Sequence, residues 1–103
     1  MLNYQNITED HIDLLNTLEK DGNVSQREIA ANTGLSIGKV NYIIKALTDI
    51  GFIKMNNFKN SNKKIKYVYI LTPKGMKEKA RITERFIAKK LQEYDKLKSY
   101  ISI

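Results

Sequence analysis

Apolar residues recur at three- and four-residue spacing through the first half of the chain, a pattern that predicts three short helices. Thr8 caps the first, with Glu9 and Asp10 in the turn where the helix dipole favours anions. Ile12, Leu15 and Leu18 give it one apolar face, and Gly22 ends it. Ser25-Gln26-Arg27-Glu28 fits a capping box, in which the Ser25 hydroxyl accepts from the Glu28 amide and the Glu28 carboxylate returns to the Ser25 amide. This second helix runs to Asn32 or Thr33, where Gly34 supplies a left-handed residue. Ser36 caps the third helix, whose Val40, Ile44, Leu47 and Ile50 face inward before Gly51 stops it.

The period then changes. Phe52 to Phe58 and Ile65 to Leu71 are rich in aromatic and β-branched residues, and Lys59-Asn60-Ser61-Asn62-Lys63-Lys64 between them suits a hairpin turn. Thr72-Pro73 reads as an N-cap followed by Pro at the first helical position. Neither Gly nor Pro interrupts the chain after Gly75. A helix of about 28 residues there would be roughly 42 Å long, more than a three-helix head can cover. The expected fold is mainly α, an α+β winged helix-turn-helix: a three-helix head, a two-stranded β wing and a long C-terminal dimerisation helix. The expected domains are 1–72, holding the helix-turn-helix at 25–50 and the wing at 52–71, and 73–103.

Composition narrows the function. The 103 residues include no Cys and one His, which excludes thiolate metal sites, disulfides and a cysteine nucleophile. No apolar run is long enough to cross a bilayer, and Met1 to Asp10 is polar and acidic, unlike a signal peptide. The expected location is the cytoplasm, in association with the nucleoid. Charge is sorted along the chain: residues 1–35 hold two bases against six acids, 36–72 seven Lys against Asp49, and 73–103 nine bases against four acids. A net charge of +7 concentrated after residue 35 favours a polyanionic partner. His11 stands among Glu9, Asp10 and Asp13; a solvated first-turn histidine is expected there rather than a metal ligand. No cofactor is expected. No phosphate-cradling Gly loop or Ser-His pairing points to an enzyme.

Residues 26 to 45 carry the strongest local signal, two helices joined by a short turn with Gly. Ala30 is small where the helices cross, and Val40 with Ile43 or Ile44 locks one onto the other. The inward residues leave Ile37, Gly38, Lys39, Asn41, Tyr42 and Lys45 pointing out, with no acid before Asp49. Lys39 and Lys45 can reach phosphates or guanine, and Asn41 can pair bidentately with adenine in a major groove. Lys54, Lys59, Lys63, Lys64 and Lys66, with Asn60 and Asn62 at the tip, make the hairpin a basic ribbon suited to backbone phosphates or the minor groove.

The run SQREIAANTGLSIGKVNYIIKALTDIG from Ser25 to Gly51, followed by NNFKNSNKKIKYVYILTPKG from Asn56 to Gly75, resembles MarR-type winged-helix repressors. The likeness is greatest to small family members associated with exopolysaccharide synthesis. It implies a homodimer on a pseudo-palindromic duplex DNA operator, with the second helix of each motif in successive major grooves. By position it assigns DNA contacts to Ser36, Ile37, Gly38, Lys39, Asn41, Tyr42 and Lys45, and wing contacts to Asn60, Asn62, Lys63 and Lys64. Larger members carry Asp-x-Arg in the wing, where this chain has Asn60-Ser61-Asn62. They also have a long helix before the head that helps form an effector pocket; only seven residues precede Thr8, so sensing of phenolic ligands is not expected.

The last helix argues for a dimer independently. Ala80, Ile87, Tyr94 and Ile101 recur every seven residues, flanked by Met76, Thr83, Leu91 and Leu97, with Lys90 at a nominal d position. The competing arrangement folds this stripe back onto its own head. Arg81, Arg85, Lys89 and Lys90 either flank the seam or reach DNA. The competing function is a winged-helix adaptor whose basic face meets an acidic protein.

Overall fold

The computed structural model describes residues 6–59 and 65–101. The order of elements is α1 (Glu9–Asp21), α2 (Gln26–Thr33), α3 (Ile37–Asp49), β1 (Ile53–Lys59), β2 (Ile65–Leu71) and α4 (Pro73–Ser99). This is the three-helix head, two-stranded ribbon and long final helix that the hydrophobic pattern predicts, with β1 starting one residue later. The turn residues Asn60, Ser61, Asn62, Lys63 and Lys64 lie outside the described residues.

Local chemistry sets the helix ends. Ser25, Ser36 and Thr72 each accept the amide three residues on, at Glu28, Lys39 and Gly75. Gly34 follows α2 at φ 77°, in the left-handed region where a Cβ is penalised. One half of the expected capping box differs: the Glu28 carboxylate accepts from the Ser25 hydroxyl at 3.1 Å and from Lys66 Nζ at 2.9 Å. A cation from the wing draws it outward.

The core gathers Leu14, Leu15 and Leu18 of α1, Ile29 of α2, Val40, Ile43, Ile44 and Leu47 of α3, and Phe52 and Ile53 at the start of the wing. Both Ile43 and Ile44 are buried, and Ile50 packs at the margin. β1 and β2 pair antiparallel from Ile53↔Leu71 to Lys59↔Ile65, and Val24 extends the ribbon by exchanging two backbone hydrogen bonds with Tyr69.

The long helix divides into two parts. Near the head, Ile82 is buried and Phe86 packs against the core, while Lys79 pairs with Glu19 at 2.5 Å and Lys90 pairs with Glu9. These two pairs run in opposite directions along the two helices, so α4 lies antiparallel on α1. Beyond Lys90 every described residue of α4 is exposed. A 27-residue helix is about 40 Å long at 1.5 Å per residue, which accounts for much of the 67 Å long axis.

Candidate nucleic-acid interface

The site is built on α3, and the core side of that helix dictates its outer side. With Val40, Ile43, Ile44 and Leu47 packed inward, Ser36, Ile37, Gly38, Lys39, Tyr42 and Lys45 are exposed and Asn41 is half-buried. Tyr42 is 68% exposed, too much for a phenol that belongs to the core. A Gln26 amide hydrogen reaches the Ile37 carbonyl at 3.4 Å, tying the start of α2 to the start of α3. Lys39 and Tyr42 line a groove on the α1 side, together with Thr8 and His11.

Three neighbours could not be read along the sequence. Asp10, from α1, lies 3.7 Å from Lys39. Lys66, expected as a free cation of the wing, is held by Glu28; that hydrogen bond pulls the Glu28 carboxyl below its ordinary value. His11, expected in solvent, is instead 4% exposed. Its Nδ1 accepts the Thr8 backbone N–H at 3.1 Å, so it occupies the place that Glu or Gln takes in a capping box. Burial, then the Lys39 charge, push its pKa below 6.5 against the opposing pull of Asp10.

Of the wing residues, Lys54 is exposed and Lys66 is half-exposed on its tether; the side chain of Lys59 is outside the described set with the tip. Met55 and Tyr67 expose about half of their surface on the wing. Among the described residues, no group of three or more His, Cys, Asp or Glu is placed to hold a metal ion, and no helix is long and apolar enough to cross a membrane.

The predicted seam is bare. Met76, Ile87, Leu91, Tyr94, Leu97 and Ile101 expose from 51% to 81% of their surface, Ala80 is exposed and Thr83 half-buried. The part of α4 that turns to the head is a different stripe, Gly75, Ile82 and Phe86. Among the charges flanking the seam, Arg81 pairs with Glu78 at 3.4 Å and Lys90 with Glu9; the latter hydrogen bond raises the Lys90 pKa.

Residues 10–54, from α1 into β1, match a family model described as winged helix-turn-helix DNA-binding. A comparison with curated protein sequences gave no match. Solved structures match over more of the chain. A MepR variant from a multidrug-resistant S. aureus clinical isolate is 19% identical, with a TM-score of 0.67 over 95% of this chain and 67% of that one. Bacillus subtilis PadR in complex with operator DNA is 24% identical, with a TM-score of 0.63 over 72% of this chain and 46% of that one. Lactococcus lactis ZitR, a zinc-responsive MarR family member, is 21% identical, with a TM-score of 0.63 over 93% of this chain and 64% of that one. The chain thus spans from just under half to two thirds of the length of these proteins, and the likeness is one of fold.

A helix-turn-helix with an exposed basic face on α3, flanked by a two-stranded antiparallel ribbon and a long final helix, is a winged helix-turn-helix fold, and the part of it from 10 to 54 is what the DNA-binding family model matches. Its fold is similar to those of MarR family members such as ZitR from Lactococcus lactis and NMB1585 from Neisseria meningitidis.

Proposed function

We propose that the protein is a sequence-specific, homodimeric transcriptional regulator, a repressor, which reads duplex DNA with α3 in the major groove and the wing beside the minor groove. The observation that carries this is the outer face of α3: Lys39, Tyr42 and Lys45 project from a helix that has no acid before Asp49, against a rigid core. Lys39 and Lys45 supply phosphate and guanine contacts, while Asn41 and Tyr42 supply base discrimination. Asn60, Asn62, Lys63 and Lys64 are retained as wing contacts with Lys59 and Lys66. Support for DNA as the partner comes from the fold shared with PadR, solved on its operator.

The operator is a pseudo-palindrome, because a two-fold pair of heads joined through the bare seam of α4 presents two reading helices. By the resemblance of Ser25 to Gly75 to small family members, the controlled genes are those of exopolysaccharide synthesis. A basic head of this kind works on the nucleoid.

Fluorescence anisotropy across a salt series, with the gene's own upstream region and a scrambled duplex, tests this. Binding to the native fragment at least ~100-fold tighter than to the scramble is expected, with log K falling steeply in log salt. Asn41→Ala and Tyr42→Ala should each erase about 1–3 kcal/mol of that preference, while changing Lys63 and Lys64 to Ala weakens both duplexes alike. An unchanged preference in Asn41→Ala would show that α3 is docked wrongly. Absence of binding to either duplex at moderate salt would favour the adaptor function.

A further inference from the structure

A groove of about 780 Å³ runs along the α1 side of α3, lined by Thr8, His11, Lys39, Tyr42, Lys45 and Asp49 among others. The floor residue is unusual. His11 Nδ1 faces the Thr8 amide at 3.1 Å, and a backbone amide only donates, so Nδ1 carries no hydrogen and the ring's N–H is at Nε2. Nε2 is buried and has no hydrogen-bond partner among the described residues. Leaving a buried donor unpaired is costly, so the site is stabilised by an incoming acceptor.

The rest of the lining defines which acceptor. Lys45 and Tyr42 make no side-chain hydrogen bond or ion pair among the described residues, and Lys39 is held only by the 3.7 Å contact to Asp10. Such a loose pair between half-exposed groups is worth little and yields readily to a stronger anion. An imidazole N–H, two ammonium groups and a phenol are all donors, a set that suits an anion with several acceptor oxygens. Asp49 opposes this from ten residues beyond Lys39, about 15 Å along the helix. Lys39 and Tyr42 belong both to this groove and to the outer face of α3, so a duplex seated on that face carries its backbone past the lip.

We propose that the α1–α3 groove is a phosphate site, filled in the DNA complex by one backbone phosphodiester that accepts from His11 Nε2–H, with Lys39, Lys45 and Tyr42 around it. This rests on the DNA-reading function proposed above. It adds a contact from α1, outside the helix-turn-helix, that anchors the duplex without regard to sequence.

His11 is the chain's one histidine, so its Nε2–H is a single resonance in the ¹⁵N-labelled full-length protein. Native and scrambled duplexes, and separately inorganic phosphate, are titrated against it. Both duplexes are expected to shift the resonance and slow its exchange with water. His11→Glu keeps an acceptor for the Thr8 amide but places a carboxylate where the phosphate goes; it should retain the melting temperature and lose at least ~10-fold in affinity for both duplexes. His11→Gln supplies the same acceptor together with an N–H and should restore most of that loss. A shift with inorganic phosphate but not with duplex would assign the site to a free phosphate rather than to DNA, overturning the backbone contact. If no probe moves the resonance, or His11→Glu binds as the parent does, the groove holds water only and the site is overturned. A parent protein that binds no duplex refutes the DNA-reading function instead, and the phosphate titration still decides the site.

Discussion

His11 shows how much a single side chain carries at the residue scale. Its neutral ring closes the first turn of α1 through Nδ1, and Lys39 and Asp10 face it with opposite charges. Protonation would remove the acceptor for the Thr8 amide and bury a cation beside Lys39. With the folded-state pKa depressed below 6.5, the unfolded chain holds the proton over a window in which the folded chain does not. Stability from this group is therefore complete above that unfolded value and is lost as pH falls through the lower folded one. Thermal melts from neutral to mildly acidic pH should show the midpoint falling. In His11→Gln, which accepts the same amide without titrating, the fall in that window should be smaller. Equal slopes for the two proteins would show that His11 is not the titrating group.

The junction of the wing and α4 sets the geometry at the scale of elements. Thr72 donates its hydroxyl hydrogen toward the carbonyls of Gly51, at 2.6 Å, and Phe52, at 3.0 Å, and accepts the Gly75 amide at 3.0 Å. That draws the first turn of α4 onto the backbone of Phe52. A Cβ built on Gly75 would lie 1.9 Å from the Phe52 oxygen, so no side chain fits without moving the helix. Gly75→Ala should cost about 2 kcal/mol or more, read as a drop in melting temperature of several degrees. A midpoint equal to that of the parent would mean that this junction is looser than its contacts indicate.

The same scale explains what was legible in the sequence. Caps at Thr8, Ser25, Ser36 and Thr72, the stop at Gly34 and the switch to period two after Gly51 are local signals, and the elements fall where those signals place them. The outward set of α3 followed from its inward set by helical geometry alone. What was missed depends on residues far apart in the chain. Asp10 beside Lys39 and Glu28 on Lys66 are visible only after folding, and His11 in place of Glu or Gln hid a capping box. On α4 the seven-residue repeat stood out, whereas Ile82 and Phe86, one turn apart on a second face, gave too short a stripe to separate from it.

Those two faces of α4 differ in their surroundings at the scale of the whole molecule, and charge links the helix to α3 through α1. Glu9 pairs with Lys90 of α4 and the adjacent Asp10 with Lys39 of α3, so the first turn of α1 lies between the helix proposed to dimerise and the helix proposed to read DNA. Ile82 is 2% exposed and holds α4 to its own head, so Ile82→Ala should cost about 2–5 kcal/mol in any oligomeric state. Ile87 and Leu91 are 54% and 58% exposed and touch no core; an apolar row of this kind is what a second copy would cover. The double change Ile87→Glu with Leu91→Glu should therefore leave the head folded and convert the protein to a monomer in sedimentation. Operator affinity should then fall by ~10²-fold or more, because the second head no longer binds at high effective concentration, while affinity for a single half-site is retained. A double variant that still sediments as a dimer would place the interface elsewhere and leave the exposed row of α4 without its proposed partner.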